Sequence, residues 1–323
     1  MRKFLAPVTV AGILGLALVG CSSSPTVNDD GCERTLSASQ DAIDLVTVDG
    51  DTDDVPEIEA YTPIAASESE WTDIVEGDGT AVRGLDQAMV IDVALYNGAT
   101  GEQIATTPYD GSLTSVLTLS QWTQSFPGFE DALACAREGG RVATVLTGDG
   151  LNAEAAAGFG IEEGGSAIAV VDLRKVYLDK ADGADQFVTG HNLPTVVRDP
   201  DGRPGIIVPE AQPPADLQVQ VLKKGDGAVV TGDAPVRVHY TGVLWDEGSV
   251  FDSSWENGAP VAFELDAVVE GFGAALEGQT VGSQILAVIP PDLGYGDQAN
   301  GSVPAGSTLV FVVDILGIDA PAE

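Results

Sequence analysis

One short segment of the chain brings an acid and two aromatic residues close together in an arrangement that could form a binding or catalytic site. Residues 236–254 read VRVHYTGVLWDEGSVFDSS, which places Tyr240, Phe251 and Asp252 in two strand-like runs joined by a turn at 246–248. A strand pair normally keeps its acids on the wet face of the sheet. An acid beside core aromatic residues is costly to bury unless it is hydrogen-bonded. The pattern therefore predicts a hydrogen-bonded Asp252 in a hairpin lined by aromatic side chains.

The elements that would position this hairpin follow from hydrophobic periodicity. Alternation predicts strands, and a short apolar run before Gly278 predicts one helix. The expected strands are 236–243, 260–265, 283–289 and 307–315, and the expected helix is 271–276. One short helix packed on an antiparallel sheet makes an α+β domain.

The same order of motifs occurs twice along the chain. VEGDG at 75–79 reappears as KKGDG at 223–227, and PGF at 127–129 reappears as EGF at 270–272. Two further pairs, at 139–143 with 282–287 and at 168–172 with 309–314, keep an offset between about 141 and 148 residues. We therefore predict a tandem duplication with units at 41–178 and 214–320. Residues 179–213, rich in Asp, Gly and Pro, are expected to form a linker with one edge strand at 205–208.

The motifs of the second unit resemble a known family. They are VHYTG at 238–242, FDSS at 251–254, VVEGF at 268–272, GYG at 294–296, and VP at 303–304 with TLVF at 308–311. In this order they resemble an FK506-binding-protein-type (FKBP) peptidyl-prolyl cis-trans isomerase domain over about 215–318. The resemblance implies a twisted antiparallel sheet wrapped around one short helix. Together with the repeat, it implies this α+β fold twice in tandem.

The resemblance also implies roles for individual residues. Asp252, Tyr240 and Tyr295 would be catalytic, with the Val269 N–H and the Tyr295 hydroxyl bonding peptide carbonyls. The substrate-binding residues would be Phe251, Phe263, Val268, Val269, Phe272, Val303 and Phe311. The family usually has Trp where this chain has Phe272, and often has Phe where it has Val261. Both changes reduce the aromatic area offered to FK506- or rapamycin-like macrolides.

The chemistry implied by this family needs no cofactor and no metal. An Xaa–Pro bond isomerises slowly because its C–N bond has partial double-bond character, with a barrier of roughly 20 kcal/mol. No bond is broken and no proton must move, so the catalyst has only to favour a twisted amide over the planar one. The expected substrates are proline-containing unfolded or nascent exported proteins.

The first unit lacks the polar residues of the second. By the repeat, Val93 stands at the Tyr240 position, Ala105 at Asp252, Ile104 at Phe251 and Phe159 at Tyr295, while Phe129 matches Phe272. An alignment shift near Tyr96 would restore one tyrosine but no acid. We expect a degenerate copy that binds apolar or proline-containing segments without appreciable catalysis. Trp122 is expected to pack against the helix or to form a wall of this pocket.

The N-terminus predicts export and lipidation. Arg2 and Lys3 precede an apolar run at 4–18 that is shorter than the roughly 20 residues of a membrane-spanning helix. Residues 1–20 are therefore expected to be a signal peptide. Leu18-Val19-Gly20-Cys21 looks like a bacterial lipobox, which would put a lipid on Cys21, with 21–40 as a tether; an ordinary signal peptide is the alternative. The expected location is extracytoplasmic, lipid-anchored to the cell membrane.

Composition limits the partners. The chain has 14 basic and 50 acidic residues among 323, a net charge of −36. This charge argues against nucleic-acid binding. In an oxidising location, Cys32 and Cys135 could form a disulfide, and a buried free thiol at Cys135 is the alternative. A single chain gives no sign of an oligomer, and we expect a monomer.

Three functions remain open from the sequence. The first is a lipid-anchored isomerase that assists the folding of exported proteins. The second is a non-catalytic chaperone lipoprotein that holds unfolded segments, which would not need the Asp252–Tyr240 pair. The third is a receptor for a small apolar ligand.

Overall fold

The computed structural model describes residues 31–188, 190 and 192–321. The predicted signal peptide, the lipidation residue Cys21 and the first part of the tether lie outside the described residues, as does the linker residue His191. Nearly all regular structure is β, and the helices are short. The protein is therefore α+β, as the sequence predicts.

The first half of the chain builds one antiparallel sheet, preceded by a hairpin of β1 and β2. The strands of this half, with the hairpin included, are β1 Val46–Asp49, β2 Glu57–Ala60, β3 Glu70–Val75, β4 Ala88–Asn97, β5 Gln103–Thr106, β6 Leu117–Thr118, β7 Arg141–Leu146 and β8 Ala167–Val176. The helices are α1 Leu119–Thr123, α2 Phe129–Leu133 and α3 Ala153–Gly158. The first sheet has the order β3-β7-β8-β4-β5, and β6 pairs with β4.

The second half builds a second antiparallel sheet. Its strands are β9 Ala184–Asp185, β10 Thr195–Arg198, β11 Pro204–Ile207, β12 Gln218–Lys224, β13 Val236–Leu244, β14 Val250–Ser253, β15 Val261–Phe263, β16 Gln284–Ile289 and β17 Leu309–Ile318, and its helix is α4 Glu270–Leu276. The second sheet has the order β14-β13-β17-β16-β12-β9, and β15 pairs with β13. β10 and β11 form a separate hairpin.

The two sheets share a strand order and a register. In the first, β5-β4-β8-β7-β3 run side by side, as β14-β13-β17-β16-β12 do in the second. Asp92 lies opposite Asp172 across β4 and β8, and His239 lies opposite Asp314 across β13 and β17. The first sheet differs in carrying two helices, α1 and α3, that the prediction of one helix per unit did not include. They arise from extra chain before α2 and after β7.

Each sheet has an inner face, which packs against α2 or α4, and an outer face. On the inner face of the second sheet, α4 buries Phe272, Ala275 and Leu276. A Cβ added at Gly271 would lie 2.4 Å from a side-chain carbon of Ile289, so α4 approaches the sheet too closely for any other residue there. Burial of this apolar face stabilises a helix that is too short to form alone.

Each outer face is covered by a hairpin. Val46, Val48 and Ile58 of the β1–β2 hairpin pack on the first sheet, and Val196 and Ile206 of the β10–β11 hairpin pack on the second. The predicted linker, 179–213, thus contains β9, β10 and β11 and packs on the second sheet. The single edge strand predicted there, 205–208, corresponds to β11 and has β10 as its partner.

The two sheets meet around Tyr177, which is 1% exposed. Its ring clusters with Ala88 and Leu316, and the Arg237 guanidinium lies 5.0 Å from its centroid. Arg237 also pairs with Asp319 at 2.5 Å. This contact joins the end of β8 to the end of β17.

A disulfide joins Cys32 to Cys135 across 103 residues, with Cα atoms 5.6 Å apart. It ties Cys32, which lies in the second half of the predicted tether 21–40, to the turn after α2. Arg34 continues this attachment by pairing with Asp73 of β3 at 2.6 Å. Within the described part of the chain, no helix is long and apolar enough to cross a membrane.

Candidate active site

Strand β13 places Tyr240 on the inner face of the second sheet. Because side chains alternate along a strand, Val238 and Tyr240 face the helix while His239 faces the other way. Tyr240 is 7% exposed. Its ring centroid lies 5.6 Å from that of Phe263, 6.2 Å from Phe311 and 6.3 Å from Phe272. Residues from three strands and α4 therefore form one aromatic cluster.

The cluster is completed by edge-to-face contacts between phenylalanines. Phe272 of α4 lies 4.9 Å from Phe311 of β17, with the ring planes at 71°. Phe251 of β14 lies 5.4 Å from Phe311 at 87°. A Cβ at Gly242 would come within 2.6 Å of the Phe251 ring and 2.8 Å of the Phe311 ring. The absence of a side chain at Gly242 is therefore what lets these two rings meet.

The Tyr240 hydroxyl donates a hydrogen bond of 2.5 Å to Asp252 Oδ2. Burial, together with the neighbouring Asp252 carboxyl group, raises the pKa of Tyr240 above its ordinary value. The hydroxyl therefore remains a donor at neutral pH. Asp252 itself is exposed, so this acid is not surrounded by core aromatics as its sequence neighbours suggested. It stands at the rim of the cluster, anchored by Tyr240.

Two hydrogen-bond donors beside the cluster, a backbone N–H and a tyrosine hydroxyl, have no acceptor among the described residues. Val269 is the N-cap of α4, and within the described residues no acceptor is found for its backbone N–H. Tyr295 follows the turn Pro291–Leu293 and is half-buried, and the described residues offer its hydroxyl no hydrogen bond. An unpaired donor next to an apolar surface suits a peptide carbonyl.

All ten residues expected to act in catalysis or substrate binding belong to one packed group or lie at its edge. Phe272, Phe311, Tyr240 and Val303 are buried, and Phe251, Phe263, Val268, Val269 and Tyr295 are partly buried against them. The tenth, Asp252, is joined through Tyr240. The surface so formed is apolar at its floor and polar at one rim.

The sequence did not predict the Ser254 hydrogen bonds and the His239–Trp255 stacking on the outer side of this hairpin. Ser254 Oγ accepts the Tyr240 N–H at 2.8 Å and lies 2.9 Å from His239 Nδ1. Alternation places His239 on the outer face of the sheet, where it is only 3% exposed because the Trp255 ring stacks on it with centroids 4.0 Å apart. Burial lowers the pKa of His239 to about 4. The sequence signal was the pair Ser253-Ser254 followed by an aromatic residue.

The first sheet carries a different set at the same positions. Ala105 lies opposite Leu95 in register, as Asp252 lies opposite Gly242, so the alignment that places Val93 at the Tyr240 position agrees with the structure. Tyr96 is not a shifted equivalent, because it belongs to the outer-face cluster and donates its hydroxyl to the Pro56 carbonyl. The first sheet thus has neither the acid nor the tyrosine.

An aromatic side chain also fills the inner face of the first sheet. Phe126 is 7% exposed and stacks 5.0 Å from Phe129 and 6.1 Å from Phe159. By the repeat it occupies the position of Val269, and Phe159 that of Tyr295. Trp122 lies 6.5 Å from Phe129, packed against this cluster. The described residues contain no group of three or more His, Cys, Asp or Glu side chains placed to hold a metal.

Comparison with known proteins shows which family the second unit resembles. A profile of the FKBP-type peptidyl-prolyl cis-trans isomerases matches residues 225–316. The chain is 38% identical over 120 residues to an FK506-binding protein of Streptomyces anulatus, covering 36% of this chain and 97% of that protein. It is 35% identical over 114 residues to a probable FK506-binding protein of Corynebacterium glutamicum, covering 35% and 97%. Among solved structures, FkpA from Escherichia coli is 33% identical over 39% of this chain and 53% of its own, with a TM-score of 0.31.

The chain therefore belongs to the FKBP-type peptidyl-prolyl cis-trans isomerases, and it is an isomerase. The family expectation drawn from the five motifs is confirmed. The matched residues begin directly after β12 and end within β17, so they include β13 to β16, α4 and most of β17.

Proposed function

We propose that the second unit catalyses rotation about Xaa–Pro bonds of exported, unfolded proteins, with the first unit as a non-catalytic relative on the same chain. The observation that carries this proposal is the Tyr240–Asp252 hydrogen bond at the rim of an apolar aromatic surface. A surface that only held apolar segments would need no such pair.

The geometry suits a reaction that consists of twisting an amide. Phe272, Phe311 and Val303 would receive the proline ring on a surface from which water is largely excluded. The Val269 N–H and the Tyr295 hydroxyl would hold peptide carbonyls on either side. Asp252, oriented by Tyr240, would lie near the rotating carbonyl and respond to its changed charge distribution. A rate gain of roughly 10⁴-fold needs only about 5.5 kcal/mol of differential stabilisation.

The matched phenylalanines of the two units offer a direct test. We expect the full-length chain to accelerate the proline-limited refolding of a model protein, Phe272→Ala to lose at least tenfold of this acceleration, and Phe129→Ala to retain it. Phe272→Leu serves as a milder variant, because a large cavity can unfold a core. Binding of the unfolded protein without acceleration would move the chain to the chaperone class.

We further propose that the two units descend from one duplicated FKBP-like domain. The shared strand order, the shared register and the two outer-face hairpins support this proposal. The packed Phe126 argues against the expectation that the first unit binds proline segments, because it fills the space beside Phe129. The first unit would then act as a folded spacer.

The proposed cellular setting rests on the sequence of residues 1–21. Export followed by lipidation at Cys21 would hold the isomerase at the outer face of the cell membrane, where exported chains emerge. The wild-type chain is expected to incorporate labelled fatty acid, and a Cys21→Ala variant is expected to incorporate none. Equal labelling of the two chains would contradict the lipid anchor at Cys21.

A further inference from the structure

A cleft of about 1030 Å³ opens where the two sheets and the segment between them meet. One wall comes from residues within 79–87 of the first unit. The floor comes from 178–182 and the turn at 199–203, and the opposite wall from His239 and Trp255. This cleft is distinct from the isomerase site, because His239 and Tyr240 lie on opposite faces of β13.

The charges in the cleft differ from those of the chain as a whole. Acids outnumber bases by 50 to 14 overall. The cleft is lined by five aspartates and by the four cations Arg83, Arg137, Lys180 and Arg203. The acidic surface elsewhere would repel an acidic segment and attract any basic one. The cleft instead offers positive and negative side chains in nearly equal number.

The wall of the cleft adjoins the strand that carries the catalytic tyrosine. The His239 ring is stacked on Trp255 and hydrogen-bonded to Ser254, whose Oγ also accepts the Tyr240 N–H. Trp255 Nε1 is buried, and the described residues provide no partner for it. A bound carbonyl that reached this donor would satisfy it.

We infer that the cleft is a second binding site, for an extended polypeptide segment with polar and charged side chains of both signs. Its volume is at the upper limit of small-molecule pockets, which are mostly apolar and about 300–1,000 Å³. A mixed lining of charges and one aromatic face suits a peptide, which supplies a carbonyl at every residue. The inference rests on the proposed function, because the bound segment would be part of the same unfolded protein whose Xaa–Pro bond the second unit isomerises.

Two glycines provide a matched test of this site. Gly84 lines the cleft and Gly158 lies at the end of α3, and an added Cβ at either meets nothing within 4 Å. A short fluorescein-labelled peptide of Glu, Lys and Gln, without proline, is titrated with the full-length chain and followed by anisotropy. We expect saturable binding that weakens at least tenfold in Gly84→Trp and stays within twofold in Gly158→Trp and in the milder isomerase-site variant Phe272→Leu.

Three results would overturn the inference: no saturable binding, equal losses in the two tryptophan variants, or loss of binding in a folded Phe272→Leu variant, which would place the peptide in the isomerase site. Because the probe contains no proline, its binding is independent of catalysis. Isomerisation without peptide binding would refute the cleft alone, and peptide binding without isomerisation would refute the proposed function alone.

Discussion

The hydroxyl of Tyr240 is bonded to Asp252 at 2.5 Å, and the first unit has Val93 and Ala105 in these two places. The pair is therefore the clearest chemical difference between two sheets that share their strand order. The Tyr240 ring packs inside the aromatic cluster, and Asp252 stands at its rim. If the pair acts as one group, removing either partner should cost about as much as removing both.

Tyr240→Phe keeps the ring in the cluster and removes only the hydroxyl. We expect kcat/KM for an Xaa–Pro peptide to fall about tenfold, or about 1.4 kcal/mol, because Asp252 loses its donor. Adding Asp252→Ala to this variant should change kcat/KM little further. Fully additive losses in this double-mutant cycle would show that the two residues act independently.

Gly242→Ala tests the packing of the Phe251 and Phe311 rings. The new methyl group would collide with both, and overpacking of this kind costs about 1–3 kcal/mol. Urea denaturation should show the loss of stability, and kcat/KM should fall as Phe251 is displaced. The control is Gly158→Ala, since a Cβ there meets nothing within 4 Å. Equal behaviour of the two variants would contradict this account of the site.

Phe126→Ala tests whether the first unit takes part in catalysis. Removal of a buried phenylalanine should destabilise the first unit by roughly 3–5 kcal/mol, while isomerisation by the second unit stays unchanged. Phe126→Leu should show the same pattern with a smaller loss. A fall in kcat/KM in the still-folded Phe126→Leu variant would mean that the first unit contributes to the reaction.

Asp314 should make stability depend on pH. It is 2% exposed, and its oxygens accept hydrogen bonds from the Ala181 N–H and the Gln284 amide. Burial raises its pKa to about 6. The folded state therefore holds its proton to higher pH than the unfolded state does, so the stability associated with this group is present below about pH 4 and is lost as pH rises through about 6.

The measurement is the free energy of unfolding of the wild-type chain minus that of Asp314→Asn, across a pH series. We expect this difference to fall by roughly 2–3 kcal/mol between pH 4 and pH 7.5. Subtraction removes the contribution of the other carboxylates. A difference that is flat or rises with pH would show that Asp314 keeps an ordinary pKa.

Local patterns predicted the parts of the fold that depend on neighbouring residues. Alternation in 236–243 placed Tyr240 on the inner face, and α4 begins one residue before its predicted start. The order of five motifs identified the family, whose resemblance supplied the site residues. These features depend on side chains that lie close together in sequence or recur in a fixed order.

Contacts between residues far apart in sequence determine the features of the fold that local patterns did not predict. His239 is buried because Trp255 covers it, and alternation alone could not supply that cover. The segment predicted as a linker forms a hairpin because Val196 and Ile206 meet apolar residues of the second sheet far along the chain. In the same way, only the packed first unit shows that Phe126 occupies the space beside Phe129.

The central claim is that the second unit catalyses proline isomerisation with Asp252 in its site. Its most direct test is kcat/KM for a short Xaa–Pro peptide, measured for the full-length chain, for Asp252→Ala and for Asp246→Ala, an exposed turn aspartate as control. We predict clear acceleration by the wild-type chain, a loss of at least tenfold in Asp252→Ala, and no more than a twofold change in Asp246→Ala. A wild-type chain without acceleration, or an Asp252→Ala variant as active as the wild type, would contradict the claim.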